Sequence, residues 1–474
     1  MKLHYIVTIA CLLVITSKKT HQEEINIAII GGGIGGTSCA YFLKEMFNEQ
    51  VNIDLYEGNT IGGRIATVTL NDGNMYEAGG SVIHDRNRYM SNFVDITGLE
   101  KRNTALKSER VGLYSENGFE FIESNSEVVN IMKSVWRYGY GVKTMKGTID
   151  GILNKFDKIY ELQNAGKSYD DIVDLLVAID PDFGSYLNIS IKDAFINNLG
   201  FSELLVDEIV KASLVVNYGQ DVDVHQFVGL VSLAGMGGSL WAVKGGNKMV
   251  AEKLVELSKV RLIQEYVVQI TQNDKKYISY TLTTSNRNSL TYDYVVFAAP
   301  LAENQKIPIV FNDMIEPFKV GKYHRTISTF VVGELRKEKF SPFSYENDGK
   351  LIIAIKKEFF NSIGNIETVN NTSSNSNYWK IFSKEPLSSY QLNELFTSVS
   401  EVKVMDWLAY PHYQVPTKPS SFHLSDQLYH INAIEWAASA MEMSCIGARN
   451  VALLIKKNFE NNWNQTTMEP RVEL

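Results

Sequence analysis

The stretch that decides the fold runs Ile25-Asn26-Ile27-Ala28-Ile29-Ile30-Gly31-Gly32-Gly33-Ile34-Gly35-Gly36-Thr37. Ile25 to Ile30 is an apolar-rich run of strand length, and a glycine cluster follows it at once. Thr37 to Phe47 then reads as a helix, with Ala40, Phe42, Leu43 and Phe47 on its apolar side, and Val51 to Tyr56 alternates as a second strand. Strand, glycines, helix, strand is the opening of a βαβ unit with a parallel sheet. Gly31, Gly33 and Gly36 satisfy G-x-G-x-x-G. The first permits a tight turn, the second lets the backbone approach a pyrophosphate, and the third lets the helix pack close to the sheet. Amides at the helix start, around Gly35, face that phosphate with the positive end of the helix dipole. Glu57 lies 21 residues after Gly36, at the end of the second strand, where a carboxylate accepts hydrogen bonds from an adenosine ribose.

The fingerprint alone leaves NAD and FAD open. Just past the second strand, Ile61-Gly62-Gly63-Arg64 adds flexible backbone and a fixed cation near the same diphosphate. In this order and spacing the segment resembles the Gly-Gly-Arg signature of the FAD-dependent amine oxidase superfamily. Further pieces follow in the order of that superfamily. Glu77-Ala78-Gly79-Gly80-Ser81 resembles its flavin-proximal segment, and Lys244-Gly245-Gly246-Asn247 its glycine turn before a second FAD-contacting strand. By the same resemblance Val267-Val268 would meet the adenine side, Val295 to Pro300 with Ala299 would leave the FAD domain, and Ala440-Met441-Glu442-Met443-Ser444 would form the C-terminal flavin-contacting turn.

Across nearly the whole chain the resemblance narrows to the prenylcysteine oxidase family, over Ile29 to Ser38, Tyr76 to His84 and, most specifically, Glu435 to Ser444. It implies a thioether oxidase that breaks down farnesylcysteine and geranylgeranylcysteine from prenylated proteins. A hydride passes from the carbon next to sulfur to the flavin, water adds, and the hemithioacetal collapses to cysteine and an isoprenoid aldehyde. Dioxygen then takes two electrons and becomes hydrogen peroxide. A prenyl tail of about 15 or 20 carbons calls for a long apolar groove, since each buried methylene contributes roughly 0.8 kcal/mol. The family also implies a signal peptide, N-glycans and a lysosomal setting, with secretion as the other route. Two further readings stay open: another flavin oxidase, of polyamine or monoamine type, and a secreted lipid-associated protein of the same fold without turnover.

The implied chemistry needs no strong base. His84 follows the flavin-proximal turn and is a candidate to orient the substrate or a water. His324, in Lys322-Tyr323-His324-Arg325-Thr326, falls near the place where amine oxidases keep a lysine facing the flavin, a position shared here among His324, Arg325 and Thr326. Noncovalent FAD is expected, because Thr397 to Ile434 holds no cysteine of the kind monoamine oxidases attach to flavin. A histidyl bond through His412, His423 or His430 stays open.

Composition agrees. The 474 residues are 45% apolar and 21% charged, which excludes a disordered chain, a collagen, a coiled coil and a multi-pass membrane protein. The net charge of −8 gives no broad attraction to phosphate backbones, so a nucleic-acid partner is not expected. Three cysteines, Cys11, Cys39 and Cys445, offer no zinc spacing, and Cys39 and Cys445 are either one pair or two core thiols. A basic start followed by an apolar run from Tyr5 to Ile15 describes a secretory signal, the alternatives being an uncleaved anchor or a buried first strand. Sequons stand at Asn188, Asn370, Asn371 and Asn464. A peripheral contact with lipid is compatible with the prenyl substrate; no transmembrane span is expected.

The expected fold class is α/β: a Rossmann-like FAD-binding domain with an inserted mixed α+β substrate-binding domain. The signal takes 1–20, and the cofactor domain takes 21–90, 241–300 and 426–474. The second lobe takes a helical part, 91–240, and a part mixing strands and loops, 301–425. Within the helical part, Ser202 is placed to cap a helix carrying Leu205, Ile209, Ala212 and Val216, with Gly219 beyond its end.

Overall fold

In the computed structural model, Ile25–Ile30 and Val51–Tyr56 are strands and Ile34–Phe47 is the helix between them. The helix begins three residues before Thr37, because Gly35 and Gly36 already form its first turn. The structure describes residues 24–104, 110–235, 239–315, 318, 320–341, 343, 350–370, 377–417 and 420–468. The expected signal segment and Asn371 lie outside the described residues.

The two strands sit in a six-stranded sheet ordered Arg261–Ile263, Val51–Tyr56, Ile25–Ile30, Tyr294–Phe297, Leu428–His430 and His423–Ser425. The first five strands are parallel and the last is antiparallel. Alternation sends Ile27, Ile29, Ile53 and Leu55 into one apolar core. Ala28, Ile30, Tyr56 and Phe297 enter another, shared with Tyr280 and Leu282 of a four-stranded sheet. Helix Ile34–Phe47 packs between Lys248–Ser258 and the C-terminal helix Met441–Met468.

The second lobe is built on a seven-stranded sheet ordered Phe396–Pro411, Tyr323–Leu335, Tyr378–Ser383, Ser362–Asn365, Lys350–Ala354, Arg110–Ser115 and Gly118–Ile122. Its first two strands run 16 and 13 residues, longer than a reading of mixed strands and loops suggests. Helices between Glu127 and Ala234 join it, and Ala212 packs on Leu113 and Ile353 of the sheet. Ser202 caps as expected, accepting from the Leu205 amide at 3.3 Å. A π-helical turn at Val206–Val210 then interrupts the α-helical run before Lys211–Tyr218, which ends on Gly219 at φ 61°. The cofactor sheet resumes at His423, not 426, because His423–Ser425 pairs on Leu428–His430. Among the described residues no helix is long and apolar enough to cross a membrane.

Candidate functional site

Two glycine turns meet back to back where the first strand ends. Gly31 has φ +115°, and a Cβ there would stand 2.8 Å from the Ala299 amide nitrogen. A Cβ on Gly36 would stand 2.0 Å from the Gly31 carbonyl oxygen, so only glycine lets the helix approach. Gly62 donates its amide to the Gly32 carbonyl at 2.9 Å, locking the second turn on the first. The helix start, at Gly33, has no side-chain cap and no acid in its first turn. Its amides therefore face outward as an anion cradle. Glu57 accepts from the Gly32 amide at 2.8 Å and the Asn59 amide at 2.8 Å. A carboxylate has about four acceptor positions, so two stay open for a ribose.

These loops border a cavity of about 1530 Å³, half as large again as the roughly 1,000 Å³ upper range of single-ligand pockets. Gly31, Gly33, Gly35, Glu57, Gly62, Gly63, Arg64, Gly79, Gly80, Ser81, Ala299, Met441, Glu442 and Met443 all line it. On the same wall Asn432 Oδ1 and Glu77 Oε2 are buried acceptors without a protein partner. Burial pushes the Glu77 carboxyl up to about 7. An uncapped helix start, two open positions on Glu57 and two unpartnered acceptors fit the phosphates, ribose and hydroxyls of FAD.

Two charged residues act differently from expectation. The Arg64 guanidinium is paired with Glu435 and donates to the Ala409 carbonyl at 2.6 Å, so its charge is largely neutralised. Glu435 is fully buried and also accepts from Asn432 at 2.6 Å and Tyr323 at 3.1 Å. Arg64 therefore ties the glycine turn to the C-terminal segment. Glu442 turns its carboxylate to the Tyr89 amide (2.7 Å), the Met90 amide (3.0 Å) and the Tyr160 hydroxyl (2.8 Å). It thus caps helix Arg88–Thr97, whose own first residues provide no side-chain cap. Burial raises its carboxyl to about 7.

Away from the glycine turns the lining is mostly apolar, with charged groups such as Arg102, Glu123 and Lys380 among it. Leu113, Phe121, Leu153, Ile209, Ala212, Leu230 and Ile353 line the cavity, drawn from both the seven-stranded sheet and the helices. Trp407 and Tyr410, near the end of strand Phe396–Pro411, also line it, with the Trp407 ring 3.0 Å from where a Gly79 Cβ would be. The sequence assigns none of these apolar residues to a site; Ile209 and Ala212 enter it only as helix positions. In sequence they are ordinary apolar positions of strands and helices, and only the space between the elements marks them.

His84 lines the cavity; His324 and Val268 do not. His84 Nδ1 accepts from the Arg86 amide at 3.0 Å, which leaves the ring proton on Nε2. Burial lowers its basicity, so the ring is a neutral donor. His324 is displaced by a bulge between His324 and Arg325. Tyr323 before the bulge reaches Glu435, and Ser328 after it reaches the Ala78 carbonyl at 3.3 Å. His324 turns instead toward His412, ring centroids 6.3 Å apart. Val268 sits in the register gap between Val267 and Gln269. Cys39 and Cys445 are both free and buried, so they form no bridge, and burial pushes both thiols up.

The fold and this site define a dinucleotide-binding protein of the FAD-dependent amine oxidase architecture. Putrescine oxidase bound to putrescine matches with a TM-score of 0.55 at 14% identity over 92% of this chain and 99% of that one. A conjugated-linoleic-acid-producing fatty acid isomerase from P. acnes matches with a TM-score of 0.62 at 13% identity over 91% and 98%. A model of an NAD(P)-binding Rossmann-like domain matches residues 29–97. The family is settled by sequence: the prenylcysteine lyase model matches residues 121–468, and the chain belongs to that family. Prenylcysteine oxidase 1 of Homo sapiens is 39% identical, covering 93% of this chain and 90% of its own length. Prenylcysteine oxidase 1-like of Bos taurus is 32% identical over 93% and 91%.

Proposed function

We propose that the chain oxidises the thioether of farnesylcysteine and geranylgeranylcysteine with noncovalent FAD. One observation carries this reading: the glycine cradle and a set of apolar side chains from the sheet and the helices line one and the same cavity. Gly33, Gly35, Gly63 and Glu57 hold the diphosphate and ribose end, and Gly79, Gly80, Ser81 and Met441 border the ring end. When bound, FAD supplies a two-electron acceptor that is reoxidised by dioxygen. The apolar wall orients the tail so that the carbon next to sulfur faces the ring end, and it keeps bulk water away. His84, a neutral Nε2–H donor on the wall, positions the water that adds to that carbon. The balance is one prenylcysteine, one dioxygen and one water giving one cysteine, one isoprenoid aldehyde and one hydrogen peroxide.

The same reading takes the chain through the secretory pathway to the lysosome or beyond, with a signal over 1–20 and glycans on Asn188, Asn370, Asn371 and Asn464. In its support, Asn188 and Asn370 are exposed. Peripheral association with lipid belongs to it as well, since a prenyl tail resides in a bilayer before it enters a protein cavity. Incubation with farnesylcysteine should release free thiol and peroxide in equal amounts and only with oxygen. Peroxide from spermine without any from farnesylcysteine would reject the reading.

A further inference from the structure

Helix Glu127–Tyr138 is mounted inside out. An amphipathic surface helix ordinarily turns its apolar stripe to the core and its polar face to water. Here polar groups fasten the helix to the body. Asn130 donates to the Ser124 carbonyl at 2.8 Å, Arg137 pairs with Glu208 at 2.5 Å, and the Tyr138 hydroxyl donates to Glu208 at 2.7 Å. On the opposite side Val128, Ile131, Met132, Val135 and Trp136 recur at helical spacing with 67, 58, 66, 40 and 87% of their surface exposed. Tyr140, just past the end, is 76% exposed. A run of large apolar side chains held outward by ion pairs is a docking face, not a core stripe.

We infer that this face inserts into an anionic lipid bilayer. Charge favours that partner: in a chain of net charge −8, Lys133 is exposed on this helix and Lys143 and Lys146 on the adjoining helix Gly141–Phe156. Size favours it too, since twelve residues span about 18 Å, enough to lie in the interface plane and too short to cross. Trp136 and Tyr140 are the residue types that settle at the head-group level. The adjoining helix has a second surface: Ile149, Leu153 and Phe156 line the cavity. Docking therefore sets the outer wall of the apolar chamber against the phase in which a prenyl tail dissolves. The choice of lipid over a protein partner rests on the proposed prenyl substrate; the outward face does not.

The test uses the FAD-loaded full chain, without substrate, and sedimentation with phosphatidylcholine vesicles with and without phosphatidylserine. The wild type should sediment, more strongly with phosphatidylserine. The triple variant Ile131→Ser/Met132→Ser/Trp136→Ser should lose about 100-fold in partitioning. Lys143→Glu/Lys146→Glu should lose only the phosphatidylserine-dependent part. Because all five side chains are exposed, both variants should keep the flavin spectrum and vesicle-free turnover of farnesylcysteine. Equal sedimentation of wild type and triple variant overturns the inference. So does a wild-type dimer, unable to bind vesicles, that the triple variant converts to monomer. With no substrate present, a failed sedimentation leaves the thioether reaction standing, and a failed turnover leaves the docking face standing.

Discussion

At one end of the cavity the wall is main chain: Gly31, Gly33, Gly62 and Gly63 bring peptide groups to the surface, and Glu57 is held there by two amides. Elsewhere it is side chain, with Leu113, Phe121, Leu153, Ile209, Ala212 and Ile353 contributed by six elements. The first end recognises charge and hydroxyls through fixed directional groups, so a single added Cβ spoils it. The second recognises volume and apolar surface, so it tolerates exchange and answers to size.

Substitutions at the two ends should therefore fail in different ways. Gly33→Val is the most severe. A Cβ there meets only the Gly62 oxygen, at 3.9 Å, so the fold survives while the side chain fills the phosphate cradle. Circular dichroism should be unchanged and the flavin absorbance absent; a yellow variant would break the comparison. Glu435→Ala comes next. It strips Arg64 of its partner and should cost about 3 kcal/mol in urea unfolding, because removing one member of a buried pair strands the other. A loss under about 1 kcal/mol, the range of surface pairs, would contradict the neutralised role assigned to Arg64.

At the apolar end, Ala212→Phe should leave farnesylcysteine turnover nearly intact and lower kcat/KM for geranylgeranylcysteine about tenfold, since it shortens the chamber. Equal losses for both tails would place the chamber elsewhere. The smallest effect is on pH dependence. Glu77 and Glu442 rise from 4.5 to about 7 on folding, so the folded protein keeps protons that the unfolded chain releases, and their contribution falls as pH rises through that window. His225, His324 and His430 fall from 6.5 to about 4, so stability is lost as pH drops from 6.5. Below pH 6.5 histidines and carboxyls oppose each other, and above it the decline from Glu77 and Glu442 is no longer opposed, so the urea midpoint should fall as pH rises from 6.5 through 7. Glu77→Gln/Glu442→Gln should flatten the decline above that pH; an unchanged decline would assign it to other groups.

The contrast also explains what the sequence revealed. Strand, glycine turn, helix and acid lie within Ile25 to Glu57, so local periodicity and turn chemistry specify them together. The apolar chamber was not legible, because an Ile on a strand reads the same whether it faces a filled core or an open space. Helix Glu127–Tyr138 shows the same limit. Its apolar spacing is that of a core-facing stripe, and contacts such as that of Arg137 with Glu208, 71 positions away, hold it outward. The C-terminal helix begins at Met441, after a 3₁₀ segment, Ile431–Trp436, that aims Glu435 at Arg64. The bulge that removes His324 from the cavity depends on pairing with Phe396–Pro411, far along the chain.

The central claim is that FAD at the glycine end and a prenyl thioether at the apolar end share one chamber. Anaerobic mixing with farnesylcysteine, followed by absorbance in the blue, tests it most directly. The account predicts a yellow protein that bleaches in proportion to the thioether added and recovers its colour on admitting air. A colourless protein that does not take up FAD, or a yellow one that farnesylcysteine leaves unbleached, would contradict it.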